Sequence, residues 1–424
     1  MTARLQEVAR CATVAIALAM PSGAPADTAA PPVEALVAQA LERSPTLDAL
    51  EARLDAAREM VAPAGALPNP MAEAVLQNIG VDDFTLGDEE MSMLSLEVRQ
   101  DLLWPGKRAA ARSSATSRTE VEAARLELAR RTIAAEVRAL YARLYAADRE
   151  RQALAASSEL LDLLAETVAA RYAAGGAEQE AVIKAQLQGS RVAERLDDVA
   201  AGRSRLVAGL NRLLDQPGGA PLGEVVALPP LNFPGGSWEE LAAANAPSVA
   251  VAARAVDDAM RRLELARLDL KPNLSAGAGL GYRGGLDPAL MLRFGAEIPF
   301  AREEKQKPAI RAAEHELTMA QAELREATAV ARAEAARLEA ERQRADRQLL
   351  RYREAIVPQT SAAVDAARAS YLAGRGDFST VIEDFELWLA ARAEVARREA
   401  DRFEIWAQLE ALVAPAPATE GDSE

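Results

Sequence analysis

From Lys107 to Tyr172 the chain contains no proline, and no glycine occurs from Lys107 through Ala174. A stretch lacking both helix breakers predicts one unbroken helix, and at 1.5 Å per residue it would extend roughly 100 Å. Apolar residues at Leu126, Ile133, Val137, Leu140 and Leu144 step by seven, four, three and four, and the pattern returns at Leu161, Leu164 and Val168. That is coiled-coil spacing. A helix of this length cannot bury its stripe alone, so the rest of the chain must supply long partners.

A repeat supplies them. "RYAAGGAEQEAVI" begins at Arg171 and "SYLAGRGDFSTVI" at Ser370, 199 residues later, with Tyr172 and Tyr371, Gly175 and Gly374, and the Val-Ile pairs at 182–183 and 381–382 in register. So distant a repeat points to a duplicated half. Tyr172, Gly175 and Gly176 in one copy, and Tyr371, Gly374 and Gly376 in the other, are read as the far tips where long helices turn back. The first half spans 27–216, a Pro/Gly-rich linker 217–236 follows, and the second half spans 237–413. Predicted helices cover 33–61, 107–172, 178–214, 238–270, 308–371 and the segment closing near Val413, with 414–424 as a flexible tail.

Each half also carries two short alternating stretches, at 71–79 and 92–100 and again at 273–282 and 290–298. In "SMLSLEVRQ", Leu94, Leu96 and Val98 fall on one side and Ser95, Glu97 and Arg99 on the other. Stretches of this length cross a membrane when tilted; they are equally the length of half-buried strands in a small soluble sheet. Four strands cannot close a barrel, and an open edge in lipid would leave backbone groups unsatisfied at a cost of several kcal/mol each. Membrane-crossing strands therefore require other copies of the chain. Two copies give eight strands with a filled interior, and three give twelve with room for water.

The N-terminus reads as a secretion signal, residues 1–26: Arg4 and Arg10, the apolar run 11–20, and the small-x-small Ala24-Pro25-Ala26. The sole cysteine, Cys11, falls inside that run, which argues against lipid attachment and leaves an exported chain without a thiol. A net charge of −15 with scattered basic residues argues against a nucleic-acid partner. The only histidine, His315, lies in a charged helical series with no second histidine or cysteine near it, so neither a metal site nor a catalytic triad is expected. No cofactor and no enzymatic activity are expected.

"LPNP" (67–70) before an alternating strand, "RQDLLWPGKRAAARSSA", "RYAAGG" and "SYLAGRGDFSTVIEDFEL" together resemble the TolC-like outer membrane factor family over about Val33–Val413. The likeness is greatest to the outer channel of tripartite heavy-metal RND efflux systems. The resemblance implies a mainly helical chain with membrane β-strands: a homotrimer with a twelve-stranded barrel in the outer membrane above a long periplasmic helical barrel. It implies passive conduction of heavy-metal cations delivered by an inner-membrane RND pump through a periplasmic adaptor, with multidrug efflux or type I secretion as the alternative cargo. A coiled-coil scaffold or adaptor without a pore is the competing reading. The resemblance further implies an acidic constriction at the tips, matched by Glu383, Asp384 and Asp377. Thr380 stands where some relatives carry a second acid. Lys184, at the first-half position equivalent to Glu383, is expected to pair with it. Trp104 is either a membrane-interface aromatic or a packed residue at a strand–helix corner.

Overall fold

The computed structural model describes residues 29–80, 86 and 88–413; the predicted signal (1–26) and tail (414–424) lie outside the described residues. In the first half, helices α1 (Val33–Arg43), α2 (Pro45–Glu59) and α3 (Val61–Ala64) lead into strands β1 (Met71–Gln77) and β2 (Met93–Leu102). Helices α4 (Lys107–Ala173) and α5 (Gln179–Leu213) follow. The second half repeats the plan with α6 (Trp238–Asn245), α7 (Pro247–Leu268), β3 (Asn273–Arg283) and β4 (Leu286–Glu297). It closes with α8 (Lys307–Arg351), α9 (Val357–Leu372) and α10 (Phe378–Val413).

The breaker-free segment is one helix of 67 residues. Proline divides three of the other predicted helices, whereas that over 178–214 runs undivided as α5. The helix expected over 33–61 breaks at Ser44, and that over 238–270 at Ala246; in each case the next residue, Pro45 or Pro247, opens the following helix. At that first position the missing N–H has no intrahelical partner to lose. The helix expected over 308–371 is interrupted by a π-helical turn at Tyr352–Ile356, just ahead of Pro358. Pro358 offers no N–H to the Glu354 carbonyl and its ring crowds that oxygen, so the helix widens locally. A second π-helical turn, Arg302–Gln306, precedes Pro308 in the same way.

The four strands form one antiparallel sheet in the order β1-β2-β3-β4, so the two halves meet at β2–β3, and within this chain β1 and β4 are its edges. β1 stops at Gln77, short of the expected 79, because Asn78 turns at φ +53°. Its side-chain amide donates to the Met91 carbonyl, while the Ser92 hydroxyl donates to the Asn78 carbonyl at 2.6 Å. β4 begins at Leu286, four residues ahead of the expected 290, and carries Pro288 beside a register irregularity near Gly281. An edge strand tolerates a proline that a central strand would reject.

α4 is the spine, packing against α2, α7, α5 and α10. One apolar cluster joins Leu36 and Leu47 of the first helices to Val137 and Leu144 of α4, Leu210 of α5 and Phe403 of α10. A second, further along, joins Leu154, Leu161, Val192, Phe385 and Leu389. Each such side chain contributes about 1.5–3 kcal/mol by leaving water. The linker is tied to the bundle by Asp148, which is 1% exposed. Its Oδ1 accepts from Arg203 Nε at 2.6 Å and its Oδ2 from the Val225 N–H at 2.9 Å.

Candidate functional site: the sheet faces and the helical tips

Pairing register divides the sheet into two unlike faces. Leu94, Leu96 and Val98 of β2 lie opposite Tyr282, Leu280 and Ala278 of β3, and Leu280, Ala278 and Ala276 lie opposite Leu290, Leu292 and Phe294 of β4. Among the described residues no helix covers this face: Leu96 is 63% exposed, Leu290 69% and Phe294 83%. An exposed apolar band this wide is what lipid, not water, solvates. The opposite face carries Glu73, Glu97, Arg99, Asp101 and Arg293 among serines and glycines.

The helices begin close beneath the strands. Gly106, at φ +95°, turns the chain into α4, and Lys107 follows, 6% exposed. Its ammonium donates to the Lys271 carbonyl at 3.1 Å and to Asn273 Oδ1 at 3.0 Å, with an Asp269 carboxylate oxygen at 3.5 Å. The first half's long helix is thereby fastened to the second half's strand. In the sequence, a lysine flanked by Gly106 and Arg108 gives no sign of burial. Trp104 is half-buried at this corner, its carbonyl accepting from the Lys107 N–H at 3.0 Å.

At the far end the two tips have the same backbone. Gly175 and Gly374 both sit at φ +71°, a conformation that glycine adopts without penalty. The Gly176 N–H donates to the Arg171 carbonyl at 2.8 Å, and the Arg375 N–H to the Ser370 carbonyl at 3.0 Å. These bonds satisfy the last carbonyls of α4 and α9 as the chain reverses. The tyrosines differ: Tyr371 is buried against Phe378, Val168 and Leu164, whereas Tyr172 is exposed. Arg171, whose role the repeat motif does not reveal, joins the tips: its guanidinium stacks 4.8 Å from the Tyr371 ring centre and donates to the Tyr371 carbonyl at 2.6 Å.

Of the expected acidic residues, Asp377 lines the tip hollow with Arg171 and Tyr371, whereas Glu383 lies further along α10. Asp377 caps α10, its Oδ1 accepting from the Ser379 N–H at 3.0 Å. Glu383 is exposed and lines a groove of about 610 Å³ between α5 and α10 with Gln188, Arg191 and Glu386, while Asp384 is half-buried. Thr380 is exposed. The expected Lys184–Glu383 pair is not formed within the chain. Lys184 binds Glu180, one turn back on its own helix, at 2.7 Å and donates to the Ser379 hydroxyl. Its pKa is raised chiefly by the Glu180 hydrogen bond, with burial opposing; Glu383 and Asp377 add only through space. An i,i+4 partner is always within reach, whereas a partner on another helix must be brought there by packing.

His315 lies exposed on α8. Among the described residues no group of three His, Cys, Asp or Glu side chains is arranged to hold a metal. No helix among them is long and apolar enough to cross a membrane.

The sequence matches the family model described as "Outer membrane efflux protein" over residues 36–215 and 238–414, one match for each half. The chain belongs to this family. It is a component of an outer-membrane efflux channel, a passive conduit rather than an enzyme. Solved structures agree in fold. The outer membrane protein VceC from Vibrio cholerae is 19% identical, with a TM-score of 0.78 over 90% of this chain and 96% of that one. CusC is 15% identical, with a TM-score of 0.78 over 90% and 92%. The CmeC outer membrane channel of Campylobacter jejuni is 14% identical, with a TM-score of 0.73 over 90% and 85%. No curated protein matched the sequence.

Proposed function

We propose that three copies of this chain pool their strands into a twelve-stranded barrel in the outer membrane, continued by a helical conduit in the periplasm. The observation that carries this reading is the sheet: an apolar face open to lipid, flanked by two edges that have no partner strand among the described residues. In hydrocarbon each unsatisfied edge group costs several kcal/mol, so the edges must be paired, and pairing β4 of one copy with β1 of the next achieves it. Twelve strands leave a lumen, which eight would fill.

In this reading an inner-membrane RND pump supplies the energy and a periplasmic adaptor engages the tips. The cargo is heavy-metal cations, supported by the likeness of "LPNP" and "WPGKR" to that branch; drugs or secreted proteins would traverse the same conduit. Glu383, Asp384 and Asp377 form the tip constriction, with Lys184 and the turns at Gly175, Gly176, Gly374 and Gly376 shaping it. Trp104 marks the periplasmic edge of the membrane. Single-channel recording in planar bilayers tests the constriction: Glu383→Ala should raise open probability, and an unchanged value removes Glu383 from it. For cargo, a strain lacking the gene should become sensitive to metal salts; drug sensitivity with unaltered metal tolerance would reassign it.

A further inference from the structure

We propose that the Glu97–Arg293 ion pair, laid across the glycines of β3, sets the charge preference of the barrel lumen by pinning a guanidinium to the wall of an otherwise acidic passage. The assignment rests on the channel reading above and deepens it. Clear of the register irregularity that holds Arg283 and Asp287, every ionised side chain of the paired strands lies on one face: Glu73, Glu97, Asp101 and Glu297 as carboxylates, Arg99 and Arg293 as guanidiniums. The lipid-facing positions that alternate with them carry none.

Glu97 and Arg293 sit on strands that are not neighbours. β3 lies between β2 and β4, so the pair must bridge about 9–10 Å of sheet. It does so because β3 presents no side chains there. Gly279 is opposite Glu97 and Gly277 is opposite both Arg99 and Arg293. A Cβ at Gly279 would stand 2.6 Å from Glu97 Cγ and 2.9 Å from the Leu96 carbonyl oxygen, and one at Gly281 would stand 2.8 Å from Met93 Sδ. Glu97 therefore lies flat on the sheet, 8% exposed, and its Oε1 meets Arg293 Nη2 at 2.9 Å. The second guanidinium, Arg99, is 3.5 Å from Asp101.

With Arg99 and Arg293 held by carboxylates, and with Arg283 and Asp287 contributing opposite charges at the hairpin end, Glu73 and Glu297 leave the strands' net charge negative. Rings of like charge in a pore decide which ions enter. Neutralising Glu97 frees one guanidinium per chain, whereas neutralising Arg293 leaves one more uncompensated carboxylate.

The test is the reversal potential of the full-length protein in planar bilayers under a potassium chloride gradient. Wild type should prefer potassium. Glu97→Gln should lower the potassium-to-chloride permeability ratio by at least about twofold at low salt, and Arg293→Gln should raise it. The charge-swapped double variant, Glu97→Arg with Arg293→Glu, should return it toward wild type. If Glu97→Gln does not assemble, Arg293→Gln and the swap carry the same test. Equal reversal potentials in all conducting variants, or shifts of the same sign in both single variants, overturn the assignment while leaving the channel intact. A wild-type protein that never conducts overturns the channel reading itself, and this assignment with it.

Discussion

Replacing Asp148 with alanine removes the acceptor of the linker's Val225 N–H and the counter-charge of Arg203, which itself donates to linker carbonyls. The Val225 N–H, on a residue 1% exposed, loses its only acceptor given by the structure, and a buried orphan donor costs about 1–3 kcal/mol. Arg203 loses its counter-charge but keeps the Leu222 and Gly223 carbonyls at 3.1 and 2.8 Å and some access to water. The penalty of roughly 3–5 kcal/mol for breaking a fully buried ion pair therefore applies only in part. A total near 2–3 kcal/mol raises local opening of the linker roughly 30- to 140-fold. Thermolysin, which cuts at apolar residues such as Leu222 and Val226, reads that opening as a cleavage rate within 217–236. Asp148→Asn keeps one acceptor oxygen and should fall between wild type and Asp148→Ala. Cleavage of Asp148→Ala at the wild-type rate would refute the reasoning, and would place the linker's anchorage in the Arg151–Glu224 pair and the Ala30–Glu224 backbone bond instead.

Gly279→Ala forces its new Cβ against the Leu96 backbone at 2.9 Å and should destabilise the sheet by about 1–3 kcal/mol. Gly189→Ala, on α5 with open space around it, should stabilise by up to about 1 kcal/mol; heat-dependent gel mobility of the detergent-extracted protein ranks the two. In α8, hydrogen bonds from Arg337 and Arg342 hold Glu334 and Glu339 below their ordinary 4.5. A carboxylate depressed in the folded state contributes above its unfolded pKa and loses that contribution as pH falls through the folded value. The thermal-stability gap between wild type and the Glu334→Gln, Glu339→Gln double variant should thus be constant above about pH 5 and close only in more acidic solution. A gap that closes near neutrality contradicts it.

The architecture was legible where breakers and periodicity act locally. A segment without proline or glycine became the 67-residue α4, and the duplicated glycines became left-handed turns with matching hydrogen bonds. Pro45, Pro247 and Pro358 are equally visible, yet the apolar stripe continues on both sides of each and masks the break. Residues whose role depends on another element were not legible. Asp148 and Glu150 look like solvated acids in an acidic helix, but their partners Arg203, Arg195 and Arg397 arrive from α5 and α10. Lys107 and Arg171 are hidden for the same reason. The Glu383–Lys184 pair was inferred from equivalent positions in two repeats, and equivalence in a repeat does not make residues face each other; Glu180 was simply nearer.

Native mass spectrometry of the full-length protein released from detergent micelles tests the central claim most directly, because the unpaired edges of β1 and β4 demand a fixed number of copies. The account predicts particles of three chains that require detergent for solubility. A monomer that stays soluble without detergent would contradict it.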